Sequence, residues 1–340
     1  MTGPADILLI GPWPEPRGGI SIHLQRLRAR LDAAGLSSAL LDTSEMFKPD
    51  LPNLRRDGLA KAWAMIGQAR VVHIHVMNAY VRLALLAMTR ARGKKAVFTF
   101  HGMPLSKQES LLVRAAKAVT HEAVWVNTAQ REIFGEGPVV PAFLAPTPDE
   151  ETLPDDITAW IARQRAAGRK IIAGNAFRVH EAPGGDIYGV DLLIEAFRHP
   201  AIAQRFACLF VIASTAKSDP AMYARYAAAV EALGMGDHFW LRPDPINFSG
   251  LMKLSDALVR PTRTDGDSLS IREALHYGKA AITSDATPRP PGAAIFRTGD
   301  SADLAQTILA AFAAAPPAPP MQDYSDTLMT LYRRYSAKAA

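Results

Sequence analysis

Short apolar runs alternate with longer stretches in which apolar residues recur every three or four positions, and the whole pattern is played twice along the chain. Runs of four to six apolar residues between turn residues suit buried strands, and the longer periodic stretches suit amphipathic helices. In the first half the strands fall at Ile7–Ile10, Ser38–Asp42, Val71–Val76, Ala96–Phe100 and Ala123–Asn127, with a short one at Val139–Val140. Helices are expected near 20–34, 58–69, 79–92 and 107–119. The segment from Pro141 to Pro154 breaks the pattern with prolines and acids. Proline removes a backbone donor and restricts its predecessor, so this segment reads as an extended linker. The pattern then restarts with strands at Ile171–Gly174, Leu209–Ile212, Phe239–Leu241, Ala257–Val259, Ala280–Ile282 and Ala294–Phe296. Helices follow near 190–198, 220–234, 247–254, 268–277 and 301–313. The tract Pro316–Pro320 stops the last of these. Tyr324, Leu328, Leu331, Tyr332 and Tyr335 then give a final helix over 323–337 its apolar stripe. Alternating strands and helices predict parallel sheets with crossover helices, hence an α/β chain of two Rossmann-like domains.

Composition supports two cores. The chain has 340 residues, 49% of them hydrophobic, and no apolar run near the roughly 20 residues that span a bilayer. The first residues carry no basic region, so no secretory leader is expected. The single cysteine, Cys208, lies inside Phe206–Ile212 and reads as a small buried hydrophobe, which suits a reducing cytoplasm. The net charge of +5 is uneven: residues 1–148 hold 18 Lys/Arg against 11 Asp/Glu, while 149–340 hold 20 against 22. Arg26, Arg28 and Arg30 share one expected helix, and Arg90, Arg92, Lys94 and Lys95 end another. Two readings stand: solvated helix faces, or attraction to an anionic membrane surface or a phosphate-bearing acceptor. No nucleic-acid module is visible.

The chemistry concentrates at strand ends. Gly18-Gly19 follows the first strand and opens a helix, so backbone can approach a ligand closely there, with Ser21 as an N-cap candidate. This is not the G-x-G-x-x-G dinucleotide fingerprint. His101-Gly102 ends the fourth strand. His75 lies nearer the end of its strand than His73 and is a candidate for an acceptor cleft, with His73 structural. Asn127 is either a ligand contact or a helix cap. No histidine pair has a zinc partner set in sequence, so no metal and no cofactor are expected. In the second half, Asp265 and Glu273 stand eight positions apart in a strand–loop–helix–strand unit. The first lies in the loop and the second about two turns into the helix, so both can face the carboxyl end of a parallel sheet.

That unit resembles the Glu-x7-Glu motif of retaining glycosyltransferases of the GT-B fold, in particular the large family 4, with Asp265 as first acid and Gly266-Asp-Ser268 in place of Gly-Phe-Gly. The resemblance implies a metal-independent, hexosyltransferase-type enzyme that moves a sugar from a UDP- or GDP-sugar to a glycan or lipid-linked acceptor with retention. It implies a cytoplasmic protein in surface polysaccharide synthesis, with a peripheral place on the inner face of the membrane as the reading that the basic half adds. It implies an acceptor domain over 1–148, a donor domain over 149–315, and a helix over 321–340 that packs back on the first domain. Glu273 would then bind the ribose hydroxyls, Asp265 the donor sugar, and the backbone at Ser268 and Leu269 the diphosphate. Gly18 and Gly19 correspond to the family's glycine loop, and His101 to the histidine beside the donor sugar. Arg178 corresponds to the family's diphosphate arginine, and the loop at Arg242-Pro243 to the base-binding loop. Tyr188 stands where the family has a diphosphate-binding lysine. Asp265-Gly-Asp267 also spells the Asp-x-Asp metal motif of the GT-A fold, disfavoured by the offset of Glu273. Two alternatives stay open: a nucleotide-sugar epimerase or hydrolase, and a non-catalytic nucleotide-binding partner, for which Tyr188 is the best argument.

Overall fold

The computed structural model describes residues 5–15, 17–102, 106–182, 184–214, 217–265, 268–313 and 323–336. The chain divides into two compact units, one formed by 1–144 with 323–340 and the other by 145–322.

The first unit runs β1 (Ala5–Gly11), α1 (Gly19–Ala33), β2 (Ser38–Asp42), α2 (Leu54–Gly67), β3 (Ala69–Ile74), α3 (Ala79–Ala91), β4 (Lys95–Phe100), α4 (Lys107–Val119), β5 (Glu122–Trp125) and α5 (Thr128–Phe134). The second opens with a 3-10 turn at Pro148–Glu151 and α6 (Asp155–Ala166), then β6 (Lys170–Ala176), β7 (Glu181–Ala182), β8 (Gly185–Asp186), α7 (Val190–Phe197) and α8 (Pro200–Ala203). It continues with β9 (Phe206–Ile212), α9 (Pro220–Ala232), β10 (Phe239–Arg242), α10 (Phe248–Leu254), β11 (Ala257–Arg260), α11 (Leu269–His276), β12 (Ala280–Ser284), β13 (Ala293–Phe296) and α12 (Ser301–Ala313). A last helix, α13 (Ser325–Ser336), belongs to the first unit.

Both main sheets are parallel, in the orders β2-β1-β3-β4-β5 and β10-β9-β6-β11-β12-β13. Each winds outward in two directions from its first strand. The reversal falls between β1 and β3 in one sheet and between β6 and β11 in the other. Open α/β sheets bind ligands at that reversal, beyond the carboxyl ends of the strands. Every candidate residue at a strand end therefore belongs to one of two edges, one per unit.

Period-two alternation along β3 sorts its side chains. Val72 and Ile74 join the core under α2, α3 and α4, while Val71 joins a second core with Leu24, Leu27 and Leu31 of α1 and Leu328 and Tyr332 of α13. His73 lies on the α13 side, where its two ring nitrogens meet Tyr332 Oη and, at 2.8 Å, Thr99 Oγ1. Its structural role stands on those two bonds.

Several expectations need correction. Val139 makes one isolated bridge to Trp125 and is not a strand. The stretch from Pro141 is not wholly extended, since Pro148 starts a 3-10 turn that Glu150 closes by accepting from the Thr147 backbone at 3.0 Å. Helix α6 was hidden by the acids and prolines before it, although Ile157, Trp160 and Ile161 supply its buried face. The proline tract 316–320 lies outside the described residues. No helix among the described residues is long and apolar enough to cross a membrane. Cys208 is buried and free.

Candidate functional site

The edge of the second unit is built around Arg260, the last residue of β11. Its guanidinium donates to the backbone and side-chain oxygens of Asn175 at the end of β6, both at 3.1 Å, so it ties the two strands together across the reversal. It also forms a two-pronged pair with Asp265, Nε to Oδ2 at 3.1 Å and Nη2 to Oδ1 at 3.2 Å. Arg289, after β12, reaches the same carboxylate at 2.9 Å and is itself almost fully buried. Burial alone would push the Asp265 carboxyl up, but Arg260 and Arg289 outweigh it and hold the acid below the usual carboxylate range. The structure engages both Asp265 oxygens with guanidinium groups, which makes the residue an anchor for two cations.

Tyr188 packs its ring under the same cation, with the Arg260 guanidinium carbon 5.3 Å from the ring centroid. The position expected to hold lysine thus keeps a positive charge next to it, delivered from the neighbouring strand. Gly189 makes this contact possible. Its backbone is left-handed (φ +70°), and a Cβ there would fall 2.0 Å from the Pro261 carbonyl oxygen. Asp186 accepts from the Tyr188 and Val190 backbone N–H groups, at 3.2 and 2.9 Å, and so caps the start of α7. Arg263 clamps Asp191 through two bonds of 2.9 and 2.8 Å. The stretch before α7 reads as a flexible loop in sequence, but β7 and β8 pair within it and these contacts hold its end.

Glu273 is buried, at 4% exposure, and accepts from Ser249 Oγ of α10 at 3.0 Å, so it is not a helix-surface acid. Ser268 occupies the N-cap position of α11, with Leu269 first in the helix, and its hydroxyl lies 3.1 Å from that of Ser270. Gly266 and Asp267 lie outside the described residues. Arg178 is exposed beyond β6 and makes no hydrogen bond or ion pair with the described residues. Arg242 ends β10, stacks 5.2 Å over Trp240 and pairs with Asp156 of α6. Pro243 follows it, half-buried.

In the first unit, Gly18 is the N-cap of α1 and Ser21 the third residue of the helix, which corrects the capping assignment. The Ser21 hydroxyl folds back, accepting from Gly18 N at 2.9 Å. A Cβ at Gly18 or Gly19 would meet nothing within 4 Å, so open space lies over this backbone. The loop before it is pinned from β2: fully buried Asp42 accepts from Trp13 N at 2.9 Å, and Lys48 donates to the Trp13 and Glu15 carbonyls at 2.8 and 2.7 Å. Asn127 caps α5 by accepting from Gln130 N at 2.9 Å, the second of its two readings. The basic helix face also needs correction: Arg26 is buried and donates to the Leu144 carbonyl at 3.0 Å, and Arg30 pairs with Asp323.

His75 and His101 converge, Nδ1 to Nε2 at 2.8 Å. His75 is fully buried, so it lies beneath the edge and only His101, half-buried, reaches its surface. His23 of α1 joins them, with ring centroids 5.3 Å from each. Burial lowers the His23 pKa to about 4 and those of His75 and His101 well below the usual value, so all three are neutral at pH 7. Sequence reasoning missed His23, Arg260 and Arg289. Periodicity puts His23 on the buried face of α1 beside Leu24 and Leu27, a usable signal. Arg260 and Arg289 flank the acidic loop at strand ends, where a buried acid demands cations.

Comparison with known proteins gives the fold. No protein-family model matches the chain, and no curated protein matches it. Solved structures do match. A glycosyltransferase from Rickettsia africae ESF-5 superposes with a TM-score of 0.66 at 14% identity, covering 98% of this chain and 93% of that one. HepE from Anabaena, solved in complex with UDP, superposes with a TM-score of 0.62 at 13% identity, covering 97% and 95%. The catalytic domain of starch synthase IV from Arabidopsis thaliana, bound to ADP and acarbose, gives 0.62 at 12% identity, covering 99% and 100%. The chain has the fold of these enzymes, GT-B, with two parallel-sheet Rossmann-like domains.

Proposed function

We propose that the protein is a retaining, family 4-like glycosyltransferase that moves a hexose from a UDP- or GDP-sugar to a hydroxyl of a glycan or lipid-linked acceptor. The observation that carries this reading is Glu273: a buried carboxylate on the first helix after the sheet reversal, eight positions beyond an arginine-clamped acid. A carboxylate offers two acceptor oxygens, which suits a vicinal diol such as ribose. The start of α11 offers backbone N–H groups at Ser268 and Leu269 to the diphosphate. Exposed Arg178, and Arg260 held at Tyr188, supply positive charge where the leaving group accumulates negative charge. HepE crystallised with UDP-glucose has this fold, which supports a nucleotide-sugar donor.

In this reading the bond from the sugar C1 to the phosphate oxygen breaks, and a bond from C1 to the acceptor oxygen forms on the same face. The acceptor proton passes to an oxygen of the leaving diphosphate. Arg178 and Arg260 stabilise that diphosphate. Asp265 is a positioning residue that holds Arg260 and Arg289. Donor recognition belongs to the second unit and acceptor recognition to the first, where His101 and the open backbone at Gly18 and Gly19 are the candidate contacts. The basic first unit supports a phosphate-bearing acceptor at an anionic inner membrane face. Sedimentation with anionic and neutral liposomes tests that part, and equal recovery with both removes it.

The donor reading is tested by thermal stabilisation with UDP, GDP, ADP and their sugar conjugates. One nucleotide diphosphate should raise the Tm, and Glu273→Ala should weaken that binding by about 10-fold or more, in line with loss of a charge-assisted hydrogen bond. No response to any nucleotide would overturn the reading. Binding without transfer across donors and acceptors would favour a non-catalytic nucleotide-binding partner, the reading that Tyr188 supports.

A further inference from the structure

We propose that His23, His75 and His101 form a binding site for a divalent transition cation of the zinc type, at the sheet reversal of the first unit. Each residue comes from a different element that the reversal brings together. His23 lies on α1, which follows β1, His75 is the first residue past β3, and His101 the first past β4. One ring nitrogen from each lies within 4.8 Å of those of the other two. A tetrahedral zinc site, with Zn–N near 2.0–2.1 Å, places its nitrogens about 3.3 Å apart.

Two further observations point to a ligand. His23 Nδ1 lies 2.8 Å from the Ala142 carbonyl oxygen, which can only accept. The proton is therefore on Nδ1, and Nε2 carries a bare lone pair. That Nε2 is buried and has no hydrogen-bond partner. Buried polar atoms are seldom left so, and a cation satisfies a bare imidazole nitrogen. The Nδ1–H to carbonyl bond is also the outer contact that fixes tautomer and ring orientation in metal-bound histidines. His75 and His101 already turn ring nitrogens towards each other. One of those two facing nitrogens carries the proton of the 2.8 Å bond, so a cation that binds there moves that proton to the far nitrogen of its own ring. Nitrogen donors without carboxylate or thiolate select zinc, copper or nickel over magnesium or calcium. Three ligands leave a position open, and half-buried His101 places it towards the surface. His73 is not part of the site, because Tyr332 and Thr99 occupy both its nitrogens.

The test uses the untagged full chain, stripped with a chelator and then freed of it, titrated with Co2+ and followed by visible absorption. One equivalent should bind with the strong bands of a four- or five-coordinate ion, and Zn2+ should displace it. His23→Gln, with circular dichroism unchanged, should weaken binding by more than the roughly 10–100-fold that loss of an outer contact costs. No stoichiometric uptake of Co2+ or Zn2+, or uptake that His23→Gln leaves unchanged, would overturn the proposal. If His23→Gln does not fold, His101→Gln at its half-buried position takes its place under the same two criteria. Metal uptake is read without any sugar transfer, so its failure leaves the donor reading untouched.

Discussion

Asp265 illustrates what one buried charge demands. Two guanidinium groups converge on a carboxylate that is 9% exposed. Asp265→Asn would leave two desolvated cations facing a neutral amide. Breaking a buried ion pair from one side costs about 3–5 kcal/mol, and the variant should show a loss of that size in urea unfolding. A loss below about 1 kcal/mol would mean that solvent already screens the triad as it does a surface pair. The acid itself was legible in the sequence from its spacing to Glu273. Its employment was not, because Arg260 lies five positions before it and Arg289 twenty-four after, and only the folded sheet edge brings them together. Tyr188 shows the same limit: that it stands where the resemblance implies a lysine is plain in the sequence, while the cation beside it comes from another strand.

At the scale of elements, alternation and periodicity gave nearly every strand and long helix, because each buries one face and must declare it in apolar residues. Each exception has its own cause. Helix α6 follows prolines and acids that read as linker, and α5 is two turns long, too short for a periodic signal. His23 escaped because a polar residue on a buried helix face looks like noise until its partners arrive from β3 and β4. The junction of α7 with β11 rests on one backbone position. Gly189→Ala combines a left-handed backbone with a Cβ driven into the Pro261 carbonyl. The expected cost is about 2–5 kcal/mol, from the left-handed penalty and the overpacking together. Thermal unfolding checks it, and a Tm within 1 °C of the parent would show that the α7 start moves freely. Because Tyr188 is the adjoining residue, the same variant should also weaken nucleotide binding.

For the whole molecule, the two units differ in how the chain builds them. The second is one continuous stretch, while the first is closed by α13, whose Leu328, Leu331 and Tyr332 complete the core beneath β1 and β3. Ending the chain after residue 322 should therefore destabilise the first unit selectively. Limited proteolysis should cut within 1–144 while 145–322 survives, and equal resistance of both would contradict the role given to α13. Charge separates the units as well, since the basic excess lies in the first, although Arg26 and Arg82 are buried and do not add to its surface charge.

The return of α13 also sets an order of events during synthesis. His73 cannot meet Tyr332 until about 180 further residues of the second unit have been made. At roughly 5–20 residues per second, that leaves the first sheet without its last covering helix for about 10–35 s on the ribosome. The second unit needs no such wait, and so the half of the protein written first is the half that finishes last.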